Sequence, residues 1–289
     1  MIPVSSLGRV ATATATTTPV ARMLTLGAAL ALSLVAGAAT AQTAIAQAVA
    51  AQAVPPLTAS YADPAKPALP PSSFQWDSSR TALVIIDPQI DFMSPKGKGW
   101  PIVGESVTEQ RLVPHLEQLM AGFKRAGLPV AISPHYYYPH DHRWLHEAPA
   151  ETVQHKLGMF DREGALTLEG FRDSGADFIP ELKAAIEDGK TIVAAPHKLY
   201  GPQSNDVMLQ LRKQRIDKIV LAGMASNLCV ESHLREFLER GFEVVVVRDA
   251  VAGPKLPDGD GYLSALVNFR YIANAVMTTD QVVAKLDGR

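Results

Sequence analysis

Short apolar runs alternate with amphipathic segments along most of the chain, and this alternation is the strongest constraint on its fold. Strand-like runs cover residues 81–86, 129–133, 191–195, 218–222, 243–248 and 275–277. Helical periodicity recurs between them, at residues 107–126, 178–186, 204–214, 229–241 and 262–271. Strands that alternate with helices form a mostly parallel sheet covered on both faces. We therefore predict an α/β fold with three α-β-α layers.

The first 41 residues are typical of a secretory signal peptide rather than of a folded domain. Arg9 and Arg22 are their only charges, residues 23–39 are almost wholly apolar or small, and a small-x-small site ends at Ala41. The apolar run is shorter than the roughly 20 residues of a spanning helix, so an uncleaved anchor is the weaker alternative. We predict an exported protein, either periplasmic or secreted.

The rest of the chain divides into an arm and one domain. Residues 42–80 are rich in Ala, Pro, Ser and Thr and are predicted to be a linker or a surface-wrapping arm. Residues 81–289 are long enough for a single large core. Without the signal peptide the chain has 25 basic and 29 acidic side chains, a net charge of −4, and no basic tract. This composition argues against a nucleic-acid partner and leaves a small-molecule substrate.

Cys229 is the only cysteine, and it follows the strand-like run 218–222 at the start of a helical segment. A thiol in a first helical turn lies near unpaired N–H groups and the positive end of the helix dipole, which favours the thiolate. The turn before Cys229 contains small residues, which let a substrate approach the backbone closely. These residues are Gly223, Ala225 and Ser226. The alternative is a buried structural cysteine.

Two further reactive side chains follow predicted strands. Asp87 comes directly after run 81–86, and Lys198 comes shortly after run 191–195. Because ligands bind at the carboxyl ends of parallel strands, a carboxylate, an ammonium and a thiol are expected at one rim of the sheet. Taken singly, Asp87 could be a turn residue before Pro88, and Lys198 a surface lysine.

These segments resemble a known family. The matching parts, in chain order, are Ile-Ile-Asp87-Pro-Gln-Ile-Asp-Phe, Lys198 and Gly-Met-Ala-Ser-Asn-Leu-Cys229-Val. They are similar to motifs of the isochorismatase-like cysteine hydrolases, which include nicotinamidases and other amide and ureide hydrolases. The resemblance covers about residues 81–283. It implies a six-stranded parallel, Rossmann-like sheet and a catalytic triad of Asp87, Lys198 and Cys229. It also implies a homo-oligomer, either a dimer or a tetramer.

The resemblance further implies how the site would work. A cis peptide is expected between Met224 and Ala225, with the N–H groups of Ala225 and Cys229 forming an oxyanion hole. The implied reaction is hydrolysis of a non-peptide C–N bond, of amide or ureide type, through a thioester on Cys229. Two alternatives remain: hydrolysis of an isochorismate-type vinyl ether, which needs no thiol nucleophile, and a non-catalytic thiol redox sensor or binding protein.

Residues 133–146 are rich in histidine and tyrosine. Nicotinamidases of the resembled family carry an Asp-x-His metal motif after the second strand, whereas this chain has Ser133-Pro-His135 there. We therefore expect no metal and no other cofactor, and interpret the segment as a lid. A Zn²⁺ site at His135, His140 and His142 is the alternative. His233, one turn after Cys229, is interpreted as a packing or surface residue.

The substrate pocket is the least constrained part of the site. Residues that lie near the motifs in sequence and could supply aromatic or amide walls are its candidates. These candidates are Phe92, Trp100, Tyr136, Tyr200, Gln203 and Asn227.

Overall fold

A six-stranded sheet forms the centre of the computed structural model, which describes residues 61–288. Its strands are β1 (Thr81–Ile86), β2 (Val130–Ser133), β3 (Ile192–Val193), β4 (Lys218–Gly223), β5 (Glu243–Val251) and β8 (Ala275–Met277). Their order is β3-β2-β1-β4-β5-β8, and every neighbouring pair is parallel. A small hairpin of β6 (Lys255–Leu256) and β7 (Gly259–Asp260) lies outside this sheet. The predicted six-stranded parallel sheet is confirmed.

Helices cover both faces of the sheet. In chain order they are α1 (Ile90–Met93), α2 (Trp100–Glu109), α3 (Leu112–Arg125), α4 (Pro149–Leu157), α5 (Pro180–Ile186), α6 (Val207–Lys213), α7 (Glu231–Glu239), α8 (Gly261–Ile272) and α9 (Thr279–Asp287). One apolar cluster packs α2, α3, α5 and α9 against the sheet, and a second packs α6, α7 and α8 against its other face. The molecule therefore has the three predicted layers.

Strand β1 shows how the sequence fills both layers. All six of its residues are buried. Leu83 and Ile85 belong to one cluster, whereas Val84 and Ile86 belong to the other. This is the two-residue alternation of a strand, and it explains why a continuous apolar run is needed where both faces are covered.

Some element boundaries differ from the sequence prediction. The helix predicted over residues 107–126 is two helices, α2 and α3, because the chain turns at Arg111, which has a φ of 49° in the left-handed region. Helices α1, α4 and α9 lie outside the predicted helical segments, and β5 extends three residues beyond its predicted end. Local periodicity did not reveal these features because tertiary packing stabilises them.

The end of the predicted arm lies on the domain surface. Tyr61 donates its hydroxyl to Asp260 and packs edge-on against Tyr262, while Asp63 pairs with Arg248 and Arg270. The predicted signal peptide and the first part of the arm lie outside the described residues. Within residues 61–288, none of the helices has the length and apolar character needed to cross a membrane.

Gly223 ends β4 and begins the turn toward Cys229. Its φ is 114°, and a Cβ there would lie 2.1 Å from the carbonyl oxygen of Ile86. Both the conformation and the close approach exclude a side chain. The backbone of β4 can therefore pass close to the end of β1 just before the cysteine.

Candidate active site

Four side chains meet at the carboxyl edge of the sheet. Asp87, His135, His197 and Cys229 each contribute a carboxylate oxygen, ring nitrogen or sulfur atom, and these four atoms all lie within 4.8 Å of one another. None of the four residues is more than 1% exposed. They come from segments that follow β1, β2, β3 and β4, which is where a parallel sheet places its ligand-binding groups.

Asp87 is held at the end of β1 by the backbone and by one imidazole. Its φ of 49° is left-handed, a conformation that Asp tolerates better than most residues. Its N–H donates to the carbonyl oxygen of Ser133 at 3.1 Å. The carboxylate Oδ1 lies 2.7 Å from Nε2 of His197, and Oδ2 has no hydrogen-bond partner among the described residues. One oxygen is thus anchored, and the other is available for proton transfer.

The placement of Lys198 differs from the predicted triad. Its Nζ donates to Asp141 at 2.5 Å and to the carbonyl oxygen of Tyr136 at 3.0 Å, and it lies 3.8 Å from the centroid of the Tyr138 ring. The residue that contacts Asp87 is His197, one position earlier. The side chain beside Asp87 is therefore an imidazole where an ammonium was expected, and the Lys198 ammonium contacts the loop that follows β2.

A shift in strand register explains this difference. Ile132 pairs with Val193, but His135 pairs with His197, so the β3 side contains one extra residue between the two pairs. Side chains alternate between the two faces of a strand. One extra residue therefore moves every following side chain to the opposite face. The bulge turns His197 toward Asp87. The adjacent His-Lys dipeptide is the only sequence signal that could have indicated it.

Lys198 also affects the ionisation of its partner. Burial alone would raise the pKa of Asp141, but hydrogen bonds from Lys198 and from the N–H of Tyr138 more than offset it, so that the pKa of Asp141 is lowered. The carboxylate is therefore charged near neutral pH, and it keeps the ammonium away from the four-residue cluster.

Cys229 lies in a π-type turn, Ser226–Val230, that leads directly into α7. Burial, and next the charge of Asp87, raise the pKa of the thiol well above its ordinary value. Hydrogen bonds from the N–H groups of Ala225 and Cys229 act in the opposite direction and lower it. The resting thiol is thus protonated, and it needs a base to remove its proton as it attacks.

His135 is fixed in one orientation. The side chain of Gln89 accepts a hydrogen bond from the backbone N–H of His135 and donates one to the carbonyl oxygen of His135, each at 2.8 Å. The imidazole ring of His135 stacks on Phe160. Its Nε2 lies 3.0 Å from the carbonyl oxygen of Lys198, which can only accept, so Nε2 carries the proton. Burial lowers the pKa of His135 well below its ordinary value, and Nδ1 has no partner among the described residues. His135 therefore presents a neutral Nδ1 lone pair.

His233 belongs to a buried hydrogen-bond chain behind the thiol. Asn205 donates to the Ser133 hydroxyl at 2.7 Å, and that hydroxyl lies 2.8 Å from Nε2 of His233. Its Nδ1 lies 2.7 Å from the carbonyl oxygen of Cys229 and must donate to it. Nε2 then accepts from Ser133, and the neutral imidazole satisfies both contacts. The predicted packing role of His233 fits this position.

The buried His233 should make the fold sensitive to acid. Burial, followed by the influence of His197, lowers the pKa of His233 from 6.5 to about 3. Between these pH values the unfolded chain binds a proton that the folded chain does not, so the free energy of unfolding falls as the pH falls through this window. We expect a loss on the order of 4 kcal/mol from this residue.

Urea unfolding at several pH values checks this prediction. His233→Gln keeps polar atoms at the site but removes the titrating group, so its free energy of unfolding should vary less between pH 6.5 and pH 3 than that of wild type. Equal pH dependence in the two proteins would show that His233 is not the responsible group.

An apolar cavity of about 380 Å³ opens onto the turn that carries the cysteine. It is lined by Phe92, Gly99, Ile102, Val103, Pro149, Ala150, Val153, Gln154, Met159, Ala225, Leu228, Pro254, Leu256 and Asp258. A larger groove of about 680 Å³ lies between the arm and β8, and its lining includes no residue of the segment 224–230. Ala225 and Leu228 of that segment line the smaller cavity, although none of the four clustered residues does. The smaller cavity is therefore the candidate substrate pocket.

Of the six predicted pocket residues, only Phe92 lines this cavity. Trp100 is half-buried against the core, and Tyr136 packs with Phe171 and Arg162. Tyr200 packs against the other face of the sheet, and Gln203 is exposed and donates to Glu236. Asn227 lies beside Gly261.

Those five candidates do not line this cavity, because they are neighbours of the motifs in sequence only. Most of the cavity wall instead comes from α2, from α4 and the residues after it, and from the β6–β7 hairpin.

The three histidines of the alternative Zn²⁺ site do not converge. His135 is buried beside Asp87, whereas the side chain of His140 is 63% exposed. Nε2 of His142 lies 2.7 Å from Asp161, and the ring is tilted by 38° against that of His155. The alternative of a site formed by His135, His140 and His142 is therefore wrong, although His135 itself belongs to the four-residue cluster.

Comparison with known proteins identifies the family. Residues 81–281 match the isochorismatase domain model. The chain is 37% identical over 79 residues to the uncharacterised isochorismatase family protein YwoC of Bacillus subtilis, a match that covers 27% of this chain and 39% of that protein. It is 27% identical over 213 residues to the secreted isochorismatase effector Isc1 of Verticillium dahliae, covering 73% of this chain and 91% of that protein.

Solved structures share the fold. A cysteine hydrolase from Pseudomonas syringae pv. phaseolicola superposes with a TM-score of 0.62 at 18% identity, over 76% of this chain and 99% of that one. N-carbamoylsarcosine amidase from Thermoplasma acidophilum gives a TM-score of 0.51 at 23% identity, over 70% of this chain and 97% of that one. The chain belongs to the isochorismatase family of hydrolases.

Proposed function

We propose that this protein hydrolyses a linear, non-peptide C–N bond of a small molecule, through a thioester on Cys229. The observation that carries the proposal is a buried cluster at one edge of the sheet, in which a carboxylate bonds to an imidazole and a thiol sulfur lies within 4.8 Å of both. N-carbamoylsarcosine amidase, whose name describes cleavage of a ureide-type C–N bond, supports this bond type by analogy of fold.

The chemistry begins with the unpartnered oxygen of Asp87. Oδ2 takes the proton of the Cys229 thiol as the sulfur attacks the carbonyl carbon, and the C–S bond forms. The N–H groups of Ala225 and Cys229, which already lie against the sulfur, hold the developing oxyanion. Protonated Asp87 then donates to the departing nitrogen as the C–N bond breaks. A water molecule deprotonated by Asp87 hydrolyses the thioester and regenerates the thiol.

His197 takes the part that the resembled family gives to a lysine. Its Nε2 donates a hydrogen bond to Oδ1 of Asp87 at 2.7 Å. Because Oδ1 is occupied by this bond, Oδ2 is the oxygen that can accept the proton of the thiol. The bond also fixes the carboxylate in a space from which water is excluded. His197 thus acts through Asp87, as a positioning residue.

The alternative functions are less consistent with this site. Vinyl ether hydrolysis needs no thiol, yet Cys229 is one of the four clustered side chains. A redox-sensing thiol is expected to be accessible and to have a low pKa, whereas Cys229 is 1% exposed and its pKa is raised.

The cavity favours a substrate with an apolar acyl group. Its wall is formed mostly by aliphatic and aromatic side chains, and the polar side chains among them are Gln154 and Asp258. The side-chain oxygen of Gln154 already accepts a hydrogen bond from the hydroxyl of Tyr137 at 2.8 Å. Burial of an uncharged alkyl or aryl group is therefore favourable, whereas a charged group would lose hydration without compensation.

A substrate panel tests the proposal. Release of ammonia or amine from small amides, ureides and carbamates should be fastest for those with alkyl or aryl acyl groups. Val153→Asp places a charge in the cavity wall and should raise KM for these substrates about tenfold. Val267→Asp is the matched control, because Val267 is equally exposed on a helix but does not line the cavity. Equal KM values for the two variants would contradict the assignment of the pocket.

Export and self-association are also proposed. The composition of residues 1–41 and the existence of a secreted relative support export. Assembly into a dimer or tetramer rests on the family resemblance alone. Neither metal nor cofactor enters the reaction as proposed here.

A further inference from the structure

The four clustered side chains combine the donor types that zinc prefers. Zn²⁺ binds thiolate, imidazole and carboxylate with bond lengths of about 2.0 to 2.3 Å, which places the donors of a tetrahedral site roughly 3.3 to 3.8 Å apart. The donor atoms of Asp87, His135, His197 and Cys229 all lie within 4.8 Å of one another. A contraction of about an ångström would bring them to this geometry.

Unsatisfied polar atoms in the cluster point independently to a ligand. Asp87 Oδ2 and His135 Nδ1 are buried and lack hydrogen-bond partners among the described residues. Buried polar atoms are normally paired, and two unpartnered atoms within one cluster are unusual. His197 would bind the ion through Nε2, with its ring proton on Nδ1 and its hydrogen bond to Asp87 Oδ1 given up. The carbonyl oxygen of Lys198 fixes the tautomer of His135, so that its Nδ1 lone pair is free, as in histidines that bind metal.

The charge of the cluster also suits a divalent ion. One carboxylate and one thiolate neutralise the two positive charges of Zn²⁺, while the two imidazoles bind as neutral ligands. Such a neutral complex can be buried at much lower cost than an uncompensated ion. The sulfur and nitrogen donors favour Zn²⁺ over Mg²⁺ or Ca²⁺, which prefer oxygen.

We propose that Asp87, His135, His197 and Cys229 form a buried Zn²⁺ site, and that metal binding and hydrolysis are mutually exclusive. When zinc binds, the S–H bond of Cys229 breaks, the proton leaves to solvent, and the sulfur lone pair forms the Zn–S bond. The same sulfur can then no longer attack a carbonyl. This part of the inference rests on the proposed function, whereas the binding site itself does not.

Metal titration of the chelator-treated protein tests the site without any substrate. Co²⁺ is the spectroscopic probe, because a cobalt–thiolate bond gives a charge-transfer absorption band that aqueous Co²⁺ lacks. We expect one equivalent of Co²⁺ to bind with this band, and Zn²⁺ to displace it. Cys229→Ser should abolish the band, and His135→Gln should weaken Zn²⁺ affinity at least tenfold.

His142→Gln is the matched control. His142 lies with His155 and Asp161 in a second histidine-carboxylate group nearer the surface, where zinc could bind adventitiously. Its substitution should leave the band and the affinity unchanged. Circular dichroism should show that every variant is folded.

The proposal is overturned if no thiolate band forms in folded wild type, or if Zn²⁺ affinity is lost in His142→Gln and retained in Cys229→Ser. Hydrolysis of the amide panel by metal-free protein is measured in a separate experiment. Hydrolysis without metal binding would refute only the zinc site, and metal binding without hydrolysis would refute only the proposed function. Where both occur, one equivalent of Zn²⁺ should abolish turnover, and a chelator should restore it.

Discussion

Replacing Cys229 by serine is expected to lower kcat/KM for the best panel substrate by at least about a thousandfold. Serine is nearly isosteric, so the buried turn should remain intact. Its hydroxyl is much less acidic than a thiol, and the single carboxylate of Asp87 is too weak a base to activate it. The rate of ammonia or amine release by purified wild type and variant measures the effect. Cys229→Ala should show a comparable loss.

Ser226→Ala provides the control within the same turn. The Ser226 hydroxyl is buried, but its contact to the carbonyl oxygen of Gly261 is long, at 3.4 Å. Its removal should change kcat/KM by no more than about threefold, which is the scale of losing a weak hydrogen bond. A large loss in Ser226→Ala, together with retained activity in Cys229→Ser, would identify a serine hydrolase and contradict the account.

Substitutions at the adjacent positions 197 and 198 should have very different effects. His197→Ala removes the hydrogen bond that orients Asp87 and leaves Oδ1 buried without a partner, so kcat should fall by about a thousandfold. Lys198→Met removes a side chain that contacts Asp141 and the Tyr136 carbonyl oxygen, and kcat should fall by less than tenfold. The comparison is made at saturating substrate to separate kcat from KM.

His197→Gln distinguishes a positioning role from a purely structural one. An amide N–H can still donate to Asp87, so this variant should recover part of the activity lost in His197→Ala, although both alter the same buried space. If Lys198→Met were inactive and His197→Ala active, the ammonium first predicted from the sequence would be the functional group, and our assignment of His197 would be wrong.

The sequence predicted the sheet because the buried strands are nearly uniform apolar runs. It also indicated Asp87 and Cys229 as neighbours, since Asp87 directly follows β1 and Cys229 lies in the turn after β4, and the carboxyl ends of these two six-residue strands are easily located. Strand β3 has only two residues, and the chain gains one residue relative to β2 before His197. No local pattern specifies such a bulge, and for this reason the prediction selected Lys198 instead.

The substrate cavity could not be predicted for a different reason. Its wall combines residues from α2, from α4 and from the hairpin after β5, which are far apart in sequence and meet only in the folded chain. Ala225 and Leu228 are the cavity residues adjacent to Cys229, yet small and aliphatic side chains there resemble ordinary core positions. The residues of a pocket wall are brought together by tertiary contacts, which the sequence does not show directly. The residues at strand ends can be located from the order of strands and helices along the chain.

The central claim is that Cys229 forms a covalent acyl intermediate. Its most direct test is mass spectrometry of the full chain after acid quenching during turnover of the best panel substrate. We expect an added mass equal to the acyl group, located on the peptide that contains Cys229, sensitive to hydroxylamine and absent from Cys229→Ser. Turnover at full rate with no adduct on Cys229, or an adduct on another residue, would contradict a thioester on this cysteine.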